Sequence, residues 1–316
     1  MPEHGRSITP ILRSHWVGTI FHPIMPFSPT FDAGRFAVLE LIARGRALPD
    51  VLDRIVRLIE AQRAGLLASI LLVDWEEQCL RDGAAPTLPV EYTRLLDGLP
   101  IGPKNGSCGT AAYLGQRVIV EDISTHPYWE EFAQLALPHG LRACWSTPIL
   151  ASDGRVLGTF AMYYLKPRGP NESEVEWVDA ATDLAAVAIS RDRVERSVRR
   201  SEARYRQIID AAHEGIWTID TSHRTTFANR RMGEILGEPL AALSGRSLLD
   251  FVHPDDRQKL EQSFSRRIPG RSEEVEFRVR STDGTERRVV SSVSPITNEL
   301  GEVAGALGFV RDLTER

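Results

Sequence analysis

The run from Asn171 to about Ile209 constrains this chain most, because it reads as one long helix with Glu172 and Glu174 in its first turn, where negative charge is favoured. Within it, Leu184, Arg191, Val198 and Tyr205 are seven residues apart, and Val187, Val194, Ser201 and Ile208 form a companion series three residues on. Arg191 and Ser201 are poor seam residues, and basic residues crowd the stretch from Arg191 to Arg206, interleaved with Asp192, Glu195 and Glu202. One reading is a solvated linker. The other, which the spacing favours, is a dimer-forming helix whose weak packing suits a bistable element. On that reading Val187, Val194, Val198 and Ile208 lie on the seam of a parallel homodimer.

A chain of 316 residues suggests a domain on each side of such a helix. Residues 1–33 read as irregular, since Pro10, Pro23, Pro26 and Pro29 recur and no helical face can be drawn. Leu48-Pro49-Asp50 is a helix start, followed by Leu52, Ile55, Val56 and Ile59 at helical spacing. Leu66 to Trp75 reads as a buried strand, with a polar hairpin around Asp82-Gly83 and a short helix near Glu91. Arg117 to Val120 is a short strand, and Trp145 to Leu150 and Val156 to Tyr164 are strands joined at Ser152-Asp153-Gly154. After the long helix come strands Gly215–Asp220 and Thr225–Phe227, short helices through Met232–Leu243 and Pro254–Phe264, and three further strands, Glu274–Arg280, Arg287–Val293 and Val303–Val310, turning at Asp283-Gly284 and Gly301. The expected class is α+β: two domains, each a central antiparallel sheet with flanking helices, joined by the long helix. The boundaries are 34–190 for the first domain, 191–209 for the linker helix, which on the second reading carries a signal, and 202–316 for the second domain.

Composition removes several function classes. A net charge of −5 argues against a general nucleic-acid binder. The cysteines Cys79, Cys108 and Cys144 form no CxxC pair, which fits a reducing compartment without a disulfide framework or zinc site. The longest apolar run, Leu66 to Val73, is far short of the ~20 residues that span a bilayer, and the first residues lack the pattern of a signal peptide. A cytoplasmic protein with no membrane partner is expected.

Gly102-Pro103, Gly106-Ser107-Cys108-Gly109-Thr110-Ala111-Ala112, Val118 to Ile123, His126-Pro127, His139-Gly140-Leu141-Arg142 and Ser146-Thr147-Pro148-Ile149 together resemble the GAF domains of bacterial sensor proteins. Gly215-Ile216, Ala228-Asn229, His253-Pro254-Asp255-Asp256-Arg257 and the terminal Asp312-Leu313-Thr314-Glu315-Arg316 resemble a PAS domain. The resemblance implies sensory modules that bind a small ligand or a partner and precede an output domain, a histidine kinase above all or a diguanylate cyclase, in cis or in trans. The chain shows no phosphoacceptor histidine motif, no ATP-binding boxes and no GGDEF sequence, so no catalytic residue is assigned.

Within the first half, Gly106-Ser107-Cys108-Gly109 also resembles a segment of the free methionine-R-sulfoxide reductases, which makes such an enzyme the alternative function. That family's further pocket cysteine has no counterpart between Glu130 and Gly140, so Cys108 reads first as a core residue. The resemblance to bilin-attaching GAF domains places their cysteine near Glu131, where there is none. His126 and His139 read as helix-end residues rather than ligands. In the second half, Leu248 stands in Gly245 to Asp250 where flavin-binding relatives carry a reactive thiol, and the helix after Pro254 has no histidine for haem. No cofactor and no metal are expected.

The ligand-binding candidates are residues that are aromatic or soft near a glycine-rich loop: Cys108, Trp129, Phe132, Cys144, Trp145 and Phe160, with Met162 behind. In the second half they are Trp217, Phe227, Asn229 and Phe277, with Asn229 read first as a helix cap. Asp312 and Thr314 are the candidates for passing a signal out of the last strand. A third reading is a scaffold, with both pockets filled by side chains.

Overall fold

The computed structural model describes residues 27–265, 272–281 and 284–314. The readings made for Pro10, Pro23 and Pro26, for Asp283 in its turn and for Glu315-Arg316 lie outside the described residues. Two compact units divide between Arg193 and Val194.

The first unit begins with α1 (Pro29–Ala43), inside the segment expected to be irregular. The start is local chemistry. Ser28 Oγ accepts from Phe31 N at 3.2 Å, Pro29 occupies the first turn where its missing N–H costs nothing, and Asp32 faces the positive end of the helix. After α2 (Leu48–Glu60) come β1 (Leu67–Asp74), β2 (Cys79–Ala84), α3 (Val90–Leu96), β3 (Leu99–Pro100), α4 (Gly106–Leu114), β4 (Val118–Val120), α5 (Ala133–Ala136), β5 (Ala143–Leu150) and β6 (Val156–Tyr164). Short 3-10 turns at Pro127–Trp129 and Leu137–His139 flank α5.

These strands form one antiparallel sheet in the order β3-β2-β1-β6-β5-β4. The β1–β2 turn lies at Trp75–Gln78 and not at Asp82-Gly83. The Asp74 carboxylate accepts from the N–H groups of Glu76 and Glu77, both at 3.1 Å, and so makes the turn itself. Gly83 sits inside β2 because a Cβ there would come within 2.7 Å of Ile70 O on the paired strand.

The sheet is covered on both faces. On one, α1, α2 and the beginning of α6 (Glu172–Asp210) bury Phe31, Ile55, Ile70, Phe160, Met162 and Leu184 together. On the other, α3, α4 and the 127–139 segment bury Leu71, Tyr92, Cys108, Trp129, Cys144 and Tyr163.

One helix therefore runs from Glu172 to Asp210, with its first half in the core of the first unit and no break at residue 191. Asn171 and Glu174 cap it reciprocally: Asn171 Oδ1 accepts from Glu174 N at 2.9 Å, and Glu174 Oε2 accepts from Asn171 N at 3.0 Å.

The second unit has β7 (Gly215–Asp220), β8 (Thr225–Ala228), α7 (Arg230–Leu236), α8 (Leu240–Leu243), a 3-10 turn at Leu248–Asp250, α9 (Pro254–Ser265), β9 (Glu273–Arg280), β10 (Glu286–Thr297) and β11 (Val303–Asp312). Its sheet is antiparallel in the order β8-β7-β11-β10-β9. One face carries the core of Trp217, Ile219, Phe251, Leu260, Phe277 and Val289, closed by the helices. The architecture is α+β in both units, with α6 linking them in sequence. Among the described residues no helix is long and apolar enough to cross a membrane.

Candidate functional site

The glycine-rich loop of the first unit is shaped by close packing. A Cβ on Gly109 would lie 2.5 Å from Pro100 O, so only glycine lets α4 rest on β3. Gly106 turns the chain into α4 at φ +60°, and Asn105 anchors the approach, its Nδ2 donating to Pro100 O at 3.1 Å. This places Ser107 and Cys108 in the first turn of α4, over β5 and β6. Ser107 Oγ donates to Cys144 O at 2.9 Å and accepts from Trp129 Nε1 at 2.9 Å. Cys108 Sγ lies 3.9 Å from Tyr163 OH, which in turn is 3.2 Å from Ser69 Oγ.

A cavity opens beside this turn, lined by Tyr92, Leu96, Cys108, Trp129, Phe132 and Tyr163. Its volume is about 20 Å³, room for roughly one water molecule. Burial pushes the Tyr92 and Tyr163 phenols well above their ordinary range, so both stay neutral. Of the sequence candidates, Cys108, Trp129 and Phe132 line this cavity, and Cys144 is buried behind them in the same cluster. Trp145, Phe160 and Met162 do not: they lie on the opposite face of the sheet, against α1, α2 and α6. Side chains alternate along a strand, so Cys144 and Trp145 cannot share a face. Tyr92, Leu96 and Tyr163 were missed. Tyr163 was findable, since it pairs with Cys144 across β5 and β6.

Trp145 serves a different cluster. Its Nε1 donates to Arg168 O at 3.1 Å, and its ring lies 4.5 Å from that of Tyr164. Tyr164 OH donates to Glu174 Oε1 at 2.8 Å, and Arg63 and Arg168 close on the same carboxylate at 2.9 and 2.8 Å. This buried network holds the first turn of α6 to the sheet. His126 and Gly140 do sit at helical ends: His126 Nδ1 accepts from Tyr128 N at 3.2 Å, and Gly140 closes the 137–139 turn at φ +79°.

In the second unit, Trp217 and Phe277 line a cavity of about 20 Å³ with Ile219, Leu248, Leu260 and Val293. The indole N–H is already used, donating to Thr225 Oγ1 at 3.0 Å. Phe227 and Asn229 are not part of this cavity. Phe227 is 42% exposed on β8. Asn229 is buried and makes four hydrogen bonds within the fold: Oδ1 accepts from Met232 N and Ile216 N, and Nδ2 donates to Ile209 O and Glu214 O. Asp312 Oδ1 accepts from Thr314 N at 2.8 Å and from the Thr314 hydroxyl, while its Oδ2 accepts from Arg287 at 3.0 Å. Burial alone would raise this carboxyl, but the Thr314 and Arg287 bonds outweigh it and hold it below the usual range.

On α6, Val187, Val194, Val198 and Ile208 are exposed, Val198 at 51% and Val194 at 63%. Among the described residues no group of three His, Cys, Asp or Glu side chains is placed to hold a metal ion.

Residues 45–190 match the family model of the GAF domain, and residues 203–313 match that of the PAS fold. A methyl sulfide methyltransferase-associated sensor of Methanosarcina acetivorans is 38% identical over 180 residues, covering 57% of this chain and 18% of the relative. An uncharacterized protein of Sinorhizobium fredii is 29% identical over 153 residues, covering 47% and 18%. The chain thus spans 18% of the length of these relatives. Among solved structures, the GAF domain of an Acinetobacter phosphoenolpyruvate-protein phosphotransferase is 19% identical, covers 53% of this chain and 96% of that one, and has a TM-score of 0.42. The PAS domain of an HTR-like protein from Haloarcula marismortui is 20% identical, covers 39% and 99%, and has a TM-score of 0.36.

Proposed function

We propose that this chain, a GAF domain over residues 45–190 followed by a PAS domain over residues 203–313, is a non-catalytic cytoplasmic sensory module that passes a state along a dimeric α6 to an output domain, in cis or in trans, of the histidine kinase type. The observation that carries the relay is the exposed stripe of Val187, Val194, Val198 and Ile208 on α6. Four exposed aliphatic side chains at a and d spacing on one helix are what a second copy of the same helix would cover. Parallel pairing sets like domains side by side, as a relay from one domain to the next requires.

The receiving site on this reading is the GAF cavity. It has room for about one water as it stands, so a larger ligand must displace Trp129 and Phe132, which ride on short helical turns. Binding and movement are then one event, which is what a sensor needs.

Light scattering tests the dimer. The parent chain should have twice the mass of a Val194→Glu, Val198→Glu double variant at micromolar concentration, because two buried carboxylates per helix oppose the seam. Equal masses would leave α6 a linker and remove the mechanism.

A further inference from the structure

The GAF core holds two cysteines, Cys108 and Cys144, in one buried cluster, and the two thiols are chemically unequal. Cys108 lies in the first turn of α4, a nine-residue helix whose unpaired N–H groups favour a negative charge. Ser107, its neighbour, is hydrogen-bonded to the backbone of Cys144 at 2.9 Å, so the packing of α4 on β5 seats the Cys108 turn against the strand that carries Cys144. A hydrogen bond from Cys144 is the largest cause holding the Cys108 thiol below its ordinary range, with Ser146, Tyr163 and Thr159 adding to it against the effect of burial. Burial and the neighbouring Cys108 push the Cys144 thiol well up. Behind the pair, Ser146 and Thr159 are fully buried, and apart from their long approach to the Cys108 sulfur their hydroxyl oxygens have no partner at ordinary hydrogen-bond geometry. Buried hydroxyls without partners cost about 1–3 kcal/mol each, and a nearby sulfur anion would satisfy them. In front, Cys108 faces a cavity with room for about one water-sized molecule, and hydrogen peroxide is an oxidant small enough to enter it.

We propose that Cys108 and Cys144 are a peroxide-responsive dithiol, in which Cys108 reacts first and Cys144 closes a disulfide that pins the first turn of α4 to β5. The Cys108 thiolate attacks one peroxide oxygen, forming an S–O bond as the O–O bond breaks, and the departing hydroxide takes up the proton that Cys108 gave up and leaves as water. Cys144 sulfur then attacks the Cys108 sulfur of the sulfenic acid. The S–S bond forms, the S–O bond breaks, and the released hydroxide leaves as a second water with the Cys144 proton. Two thiols lose two electrons and one hydrogen peroxide gains them. Because Ser107 also bonds Trp129, the bridge reshapes the cavity wall at the residue next to the reacting one. The inference rests on the GAF cavity as the receiving site and names its signal, but it needs neither the dimer nor the output domain.

The test is peptide mapping of the full chain after treatment with hydrogen peroxide, denaturation and alkylation. The expected product is a Cys108–Cys144 cross-linked peptide within one chain, with Cys79 alkylated and the link reversed by dithiothreitol. In a Cys144→Ser variant, dimedone should trap one adduct, on Cys108. Persistence of three alkylatable cysteines in excess peroxide, a link involving Cys79, a link between chains or a dimedone adduct on Cys79 would each overturn the proposal. The mass and dimer tests of α6 read other residues, so failure here leaves the relay untouched, and failure there leaves the dithiol untouched.

Discussion

At the scale of the residue, Asn229 does the most with one side chain. It caps α7, ties β7 through Ile216, and holds two carbonyls, Ile209 O at the end of α6 and Glu214 O before β7. Asn229→Ala removes a cap worth about 1 kcal/mol and strands further buried groups at about 1–3 kcal/mol each. A loss of about 3 kcal/mol is expected, lowering the PAS melting temperature by roughly 10 °C or more. Asn229→Asp should be little better, since it keeps the acceptor but sets a carboxylate against both carbonyls. Circular dichroism melts compare the three proteins directly.

Asp256 gives a pH prediction. Arg278 bonds its Oδ2 through Nε at 3.0 Å and through backbone N at 2.8 Å. The Arg278 side chain is the main cause holding this carboxyl below its usual range, against burial. A carboxyl depressed in the folded state stabilises the fold above its unfolded value of about 3.9, and that contribution is lost as pH falls through the folded value. Urea midpoints of the PAS transition should therefore fall less steeply below about pH 4 in Asp256→Asn than in the parent; parallel curves would show the pair to be without effect.

At the scale of the element, α6 can be tested by phase. One residue inserted near Ser197 turns everything beyond it by ~100° and splits the stripe into Val187 with Val194 and Val198 with Ile208. The dimer should weaken in light scattering while both domains keep their melting transitions. An insertion of seven residues restores the phase and should restore the dimer.

The elements that were legible in the sequence are those whose signal is local and repeated. The length of α6, the β5–β6 hairpin at Ser152-Asp153-Gly154 and the five strands of the PAS sheet all follow from period and turn chemistry. The misplaced β1–β2 turn has a local cause too. Gly83 looked like a turn residue but is a close-approach residue within a strand, while the turn is made by Asp74, an ordinary carboxylate in sequence. The start of α1 was hidden for the converse reason, because Pro29 reads as a breaker unless Ser28 is seen to cap it. The GAF cavity was half legible. Choosing residues by type found Cys108, Trp129 and Phe132, but type carries no face, so Trp145, Phe160 and Met162 were grouped with residues on the far side of the sheet. The approach of the Cys108 turn to the strand of Cys144 depends on the seating of α4 on β5, a contact of Ser107 with Cys144, 37 residues apart, that has no local signature.

At the scale of the whole molecule, among the described residues each hydrophobic core cluster draws its members from one side of the division at Arg193. Two calorimetric transitions are expected, and Asn229→Ala should move only one of them. A single transition shifted as a whole would mean that the units unfold together. The GAF sheet, with both of its faces buried, has a further consequence. Tyr163 lines the cavity and touches Cys108, and the next residue, Tyr164, donates to the Glu174 carboxylate that roots α6. A single peptide plane carries both. On the proposed sensory reading its two side chains would work like the arms of a rocker: a shift of the first ring would tilt the plane under the second, and news from the cavity would have one amide to cross before reaching the helix.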